Sequence, residues 1–132
     1  MNNISQAHKV DGYKIGHIEQ YIDGTSQVYA NMTPRSDRLA NVIREYFDGT
    51  MVFFGIERAV QQLHHNWDDT FFNKPKEEVM KKYTRRIKNY LGPDYGDVQI
   101  EAMGKLHDLG YLPLQIKALP EGTSVNMGVA TI

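Results

Sequence analysis

The chain has 132 residues, 41% of them hydrophobic, with 15 lysines and arginines against 16 aspartates and glutamates and a formal net charge of −1. That is enough length and apolar content for one soluble domain with a buried core, residues 1–132, and the missing basic excess argues against a general nucleic-acid binder. With no cysteine, disulfide staples and thiolate metal ligands are excluded, which fits a reducing compartment.

Residues 1–10 are polar and unpatterned; they lack the apolar core of a signal peptide and read as a loosely ordered lead-in. No later apolar run approaches the roughly 20 residues that cross a bilayer, so no membrane partner is expected and the expected location is cytoplasmic. Asp11 is placed as an N-cap, its charge where a helix N-terminus favours it. Ile15, Ile18 and Tyr21 follow at helical spacing and predict a short helix. Asp23-Gly24-Thr25 is turn chemistry. Residues 27–32 form a β-prone run closed by Pro34, which has no N–H to give a ladder.

Ser36 opens a helix with Leu39, Val42, Ile43, Tyr46 and Phe47 on one face and Gly49 as its stop. Residues 50–54 are short and continuously apolar, the pattern of a buried strand. Ile56, Ala59, Val60, Leu63 and Trp67 trace the next amphipathic helix. A further one starts near Asn73, with Pro75 in its first turn, and ends at Gly92-Pro93. Its apolar side is Val79, Met80, Tyr83, Ile87, Tyr90 and Leu91, and five lysines and arginines between Lys81 and Lys88 cover the rest. Another helix spans residues 97–109, with Ile100, Met103 and Leu106 inward and Gly110 as cap. The period then becomes two: Leu114, Ile116 and Ala118 alternate with Gln115 and Lys117, Pro120-Glu121-Gly122 turns, and Val125, Met127 and Val129 alternate again. The elements mix without regular alternation. The expected class is α+β, a small mixed sheet packed by about four helices.

Few patterns here carry chemistry. His64 and His65 are adjacent on a predicted helix and diverge by about 100°, and no His pair stands at the i, i+4 spacing that metal-binding helices use; no metal ligand is assigned. The basic run at residues 81–88 is preceded by Glu77 and Glu78, i,i+4 partners for Lys81 and Lys82, and reads as a solvated helix face rather than a nucleic-acid face. Glycine-rich phosphate loops and an assignable nucleophile triad are both missing, so no catalytic residue is assigned. The richest stretch is residues 11–21 with its continuation to Arg35. Tyr13, in the first turn of a helix, could stack on a flat heterocycle while the helix terminus and Arg35 meet an anion. The plainer alternative puts Tyr13 in the core and Arg35 in a surface ion pair.

Asp11-Gly12-Tyr13-Lys14, with His17 and then Gln20-Tyr21, resembles the opening segment of the nicotinamide phosphoribosyltransferase family, which reads Asp-Ser-Tyr-Lys, a spaced His, then Gln-Tyr. The likeness stays in register through Thr25-Ser26-Gln27-Val28-Tyr29 and Arg35, then Val52-Phe53-Phe54-Gly55-Ile56, and finally the run from Leu112 to Gly122, which is similar to the family's Leu-Pro-Ile-Glu-Ile-Lys-Ala-Val-Pro-Glu-Gly. The resemblance implies the N-terminal part of a type II phosphoribosyltransferase α/β sandwich, cut off before the catalytic barrel. The enzyme it implies joins nicotinamide to phosphoribosyl pyrophosphate in NAD salvage, at sites formed between the two subunits of a homodimer. It further implies that Tyr13 stacks on the nicotinamide ring of the neighbouring subunit's site and that Arg35 reaches the phosphate end. Asp11 matches a motif position near the base and is carried as a third substrate-binding candidate. Gly12 and Gly16 stand where the family has bulkier residues. Mg²⁺ is implied with phosphoribosyl pyrophosphate for the full enzyme, and no cofactor for this chain.

Transfer of the phosphoribosyl group needs an oxocarbenium ion and a departing pyrophosphate stabilised together. Tyr13 and Arg35 supply stacking and one charge, so the chain alone is expected not to turn over. The first expectation is therefore the N-terminal portion of such an enzyme. The alternative is a stand-alone, non-enzymatic protein-binding module or inhibitor that reuses this domain, and a bare nicotinamide or nucleotide binder comes third.

Overall fold

The computed structural model describes residues 4–38 and 45–132. They fall into two compact units, one made of Met1–Thr25 and Gln61–Pro113, the other of Ser26–Val60 and Leu114–Ile132.

The first unit is helical. Helix α1, Ile56–Trp67, enters it from the second unit and keeps the predicted bounds, with Leu63 and Trp67 half-buried. A π-helical turn, Asp68–Phe72, continues it. The wider turn rotates Thr70 and Phe71 fully into the core, and the sequence gives no period from which to expect it. Helix α2, Lys76–Leu91, begins after Pro75, whose missing N–H costs nothing there. Its Val79, Tyr83 and Ile87 recur every fourth residue and are buried. Gly92, at φ 110°, releases the chain. Helix α3, Asp97–Leu109, runs between two left-handed glycines, Gly96 and Gly110.

The core of this unit joins Ala7, Ile15, Phe71, Val79, Tyr83 and Ile87, with Trp67, Met80, Ile100, Met103 and Leu106 packed round it. Phe71 sits edge-on to Trp67 and to His107, with ring centroids 5.3 and 5.1 Å apart. The lead-in belongs to this core. A 3-10 turn, Gln6–His8, buries Ala7, the Gln6 N–H donates to Thr70 Oγ1 at 3.1 Å, and Arg86 donates to the carbonyl of His8.

The second unit holds the sheet. Strand β1, Thr50–Val52, pairs antiparallel with β2, Ser124–Asn126, in the register Met51 opposite Val125. Phe53 N–H donates to Thr123 and Gly122 N–H to Phe53, so the ladder runs on to the Pro120-Glu121-Gly122 turn. Phe53, Val125 and Thr131 are buried. Thr131 donates to the Met32 carbonyl through both its N–H (2.8 Å) and its hydroxyl (3.1 Å), while its own carbonyl accepts from Leu119 N–H.

These elements make the described fold α+β, as the sequence indicates. Several predicted strands differ in detail. Residues 27–32 are exposed and form no ladder, since only Met32 finds backbone partners. Residues 114–118 alternate in sequence but are exposed on both faces and join no strand among the described residues. In the 50–54 run Val52 and Phe54 point outward and Phe53 alone is buried, so the strand is one-sided rather than enclosed. The helix predicted over residues 36–47 has its middle, residues 39–44, outside the described part. Among the described residues no helix is long and apolar enough to cross a membrane.

Candidate functional site

The opening stretch becomes a 3-10 helix, Gly12–Gln20, begun by a Lys14 N–H bond to the Asp11 carbonyl at 3.0 Å. Asp11 occupies the N-cap position, but its carboxylate makes no capping bond. The three-residue period turns one side chain, Ile15, into the core. Buried Gln99 of α3 donates through Nε2 to the Ile15 carbonyl at 3.3 Å and holds the segment down, while its own Oε1 finds no partner.

Anchored through Ile15, the helix leaves Tyr13 68% exposed. The ring stands edge-on to His17 at 5.9 Å and 62°, with Lys14 Nζ 5.8 Å from its centroid. The plainer expectation of a core tyrosine is therefore not met. A broad aromatic face remains open to solvent beside a cation and an imidazole, the composition that stacks on a planar, electron-poor ring.

Gly12 has a spatial reason. A Cβ there would come within 2.4 Å of the Tyr90 hydroxyl, because the Tyr90 side chain from α2 lies across the backbone at this point. The serine of the family motif would meet the same ring.

Arg35 belongs to the second unit and is exposed. The peptide before it is fixed, with the Pro34 carbonyl accepting from Gly128 N–H at 2.8 Å. None of the ion pairs among the described residues includes Arg35. Asp11, Tyr13, Lys14 and His17 thus share one segment of the first unit, and Arg35 stands in the other.

A second polar feature escaped the sequence reading. His8, Lys82, Arg85, Arg86, Asn89 and Tyr90 line an open cleft of about 430 Å³ in the first unit. The His8 ring stacks on Tyr83 at 6.2 Å. Burial, then the charges of Arg86, Lys82 and Arg85, hold the His8 pKa below its ordinary value, and burial raises that of the Tyr83 phenol. The cleft joins residues 78 apart in sequence, and no local spacing could have revealed it.

By fold and exposed chemistry this is a small α+β chain that presents an aromatic–cation segment to solvent. Compared with known proteins, it is 48% identical over 130 residues, 98% of its length, to the nicotinamide phosphoribosyltransferase of Acinetobacter baylyi, and it spans 25% of that protein's length. The chain is homologous to a quarter of a nicotinamide phosphoribosyltransferase, the family its motifs resemble. No family model matches it, and no solved structure does.

Proposed function

We propose that this chain supplies one wall of a nicotinamide phosphoribosyltransferase site and that Tyr13 stacks there on the nicotinamide ring. Arg35 meets the phosphate end, and Asp11 keeps the first turn of the Tyr13 segment electrostatically favourable. The observation that carries this reading is the Tyr13 ring, 68% exposed on a segment whose Ile15 is buried and pinned by Gln99. An aromatic left in water on a fixed backbone is costly unless something covers it, and it is already oriented for a partner.

Phosphoribosyl transfer also needs pyrophosphate stabilisation. In this reading Mg²⁺ would belong to the phosphoribosyl pyrophosphate of the full enzyme and would supply charge neutralisation for the departing pyrophosphate. Among the described residues no three acids or histidines are grouped to hold a metal, so this chain's part is stacking and charge. The remaining machinery lies in sequence corresponding to the other three quarters of the Acinetobacter baylyi protein. Homodimer formation, with Tyr13 serving the neighbouring subunit, and a cytosolic location belong to the same proposal.

The test is a chimera in which this chain replaces the matching quarter of the Acinetobacter baylyi enzyme. The chimera should make nicotinamide mononucleotide. Tyr13→Ala should raise its KM for nicotinamide about tenfold or more, the loss of roughly 1.4 kcal/mol expected from removing one aromatic stacking partner. Arg35→Ala should raise the KM for phosphoribosyl pyrophosphate instead. A Tyr13→Ala chimera with unchanged kinetics would refute the assignment, and mononucleotide formed by the purified 132-residue chain would refute the claim that one wall is insufficient.

A second reading, a protein-binding module without catalysis, draws on the second unit, where Tyr29 and Phe54 are 89% and 81% exposed. Apolar side chains so exposed favour association. A purified chain that captures one stoichiometric partner regardless of Tyr13→Ala would favour this reading.

A further inference from the structure

We propose that the cleft between the Gln6–His8 turn and α2 binds a phosphorylated small molecule, with its phosphate held by Arg85 and Arg86. The proposal does not rest on the transferase reading. It starts from the charge pattern of α2. Glu78 and Lys82, at i,i+4, form the 2.6 Å ion pair of an ordinary solvated face, and Glu101 with Lys105 does the same on α3. One turn further along α2 the pattern breaks. Lys81 stands four residues before Arg85, and Lys82 four before Arg86, so these neighbours repel and cost the helix stability. Four residues beyond them come Asn89 and Tyr90, which carry no charge to offset the repulsion.

Arg86 is also held in place. Its guanidinium donates to the carbonyls of His8 and of Val10, the latter at 3.4 Å. Those acceptors are neutral, so they orient the group without cancelling its charge. The guanidinium has five N–H donors, and the remaining ones stay free for a bidentate oxyanion. Arg85 pairs with no carboxylate among the described residues. Two uncompensated guanidinium groups, one already oriented, therefore border one cleft. Its volume of about 430 Å³ lies in the range of small-molecule sites. Asn89 and Tyr90 add neutral donors, and the Tyr90 hydroxyl reaches the Gly12 backbone beside Tyr13.

His8 supplies a reporter. The charges acting on it are Arg86, Lys82 and Arg85, all cations from α2, and together with burial they favour the neutral imidazole. A bound phosphate reverses that field, raises the affinity of His8 for its proton, and so draws a proton in. Binding should therefore be accompanied by proton uptake at His8.

The experiment is calorimetric titration of the 132-residue chain with pyrophosphate, inorganic phosphate and ribose 5-phosphate, at pH 7.5 and pH 6, against chloride at matched ionic strength. Saturable millimolar-or-tighter binding of a phosphate probe is expected, with a component of proton uptake that His8→Asn removes. Tighter binding of ribose 5-phosphate would identify an organic phosphate, whereas equal binding of phosphate alone would identify the free anion; both keep the site. Arg85→Gln should weaken binding about tenfold, and Lys105→Gln, on α3, should leave it unchanged. Because Arg86 also pins the lead-in, Arg86→Lys is the milder second variant and should lose affinity without loss of Tm. Three outcomes overturn the proposal: no saturable binding, binding indifferent to Arg85→Gln and Arg86→Lys, or displacement of the probe by a single-stranded oligonucleotide with a steep salt dependence, which would make the cleft a nucleic-acid contact.

Discussion

Two glycines of the first unit lie beneath another side chain, and filling them should have different consequences. A Cβ on Gly12 meets the Tyr90 hydroxyl at 2.4 Å, but that ring is half-exposed and its far end can swing into water. At Gly96 the Cβ meets Ile87 Cγ2 at 2.3 Å, Ile87 is fully buried, and the backbone has φ +89°. There the neighbour cannot retreat and the conformation itself disfavours a side chain. Gly96→Ala should destabilise the chain by roughly 2–4 kcal/mol, overpacking and left-handed strain together, whereas Gly12→Ala should cost less than about 1 kcal/mol. Urea unfolding of both variants measures the difference. Equal losses would mean that Tyr90 is as fixed as Ile87.

Among the elements, the start of α1 is supported from far along the chain. The Glu121 carboxylate accepts from Gly55 N–H at 3.1 Å and from Glu57 N–H at 3.2 Å, so the Pro-Glu-Gly turn provides the cap that the local sequence lacks. Glu121→Ala should cost about 1–2 kcal/mol and speed amide exchange in the first turn of α1, while Glu121→Gln, which keeps an acceptor, should cost less. If Glu121→Ala leaves the first-turn amides as protected as before, the cap carries no energy. This long-range support shows why some elements were legible in the sequence and others were not. Helices α1 and α3 are bounded by Gly55, Gly96 and Gly110, and Leu63 and Trp67 of α1 and Ile100, Met103 and Leu106 of α3 are half-buried, so periodicity and stop signals agreed. A strand needs a neighbour as well as alternation. Among the described residues, 114–118 alternate but find no ladder partner, and 27–32 are exposed without a ladder. The segment of Tyr13 was read as helix, yet its tighter 3-10 winding follows from packing Ile15 under Gln99, a contact 84 residues distant. Tyr13 and Arg35 stood out as candidates by side-chain chemistry, and the family motif gave each a proposed role. The basic run was read as a solvated helix face, and its Glu78–Lys82 pair agrees; the cleft beside it was not legible because its other wall is the lead-in, docked through Ala7, Gln6 and the carbonyl of His8.

Across the whole chain, apolar burial is uneven, and the two units should differ in stability. The first unit buries six side chains in one cluster, with a second ring of aromatics and methionines packed on it. Among the described residues the second unit buries Phe53, Val125 and Thr131 and has a two-stranded sheet with three residues per strand, which is marginal in water without further packing. At roughly 1.5–3 kcal/mol for each large apolar side chain buried, the first unit holds more than twice the apolar stabilisation of the described part of the second. Exchange from the second unit should therefore proceed by local opening well below the global unfolding energy. In the isolated chain the amides of Phe53 and Val125 should exchange at least about 100-fold faster, after correction for intrinsic rates, than those of Tyr83 and Ile87, a gap of roughly 2.7 kcal/mol. The same measurement on the active chimera gives the functional sense of that gap. If Tyr29 and Phe54 are covered by the rest of a transferase, protection at Phe53 and Val125 should rise towards that of the first unit, because partner contacts then supply the burial this unit lacks. Equal protection of the two units in the isolated chain would contradict the ledger of buried side chains. A chimera in which Phe53 and Val125 still exchange rapidly would instead remove docking of the second unit from the proposed assembly and leave Arg35 without a fixed position in its site.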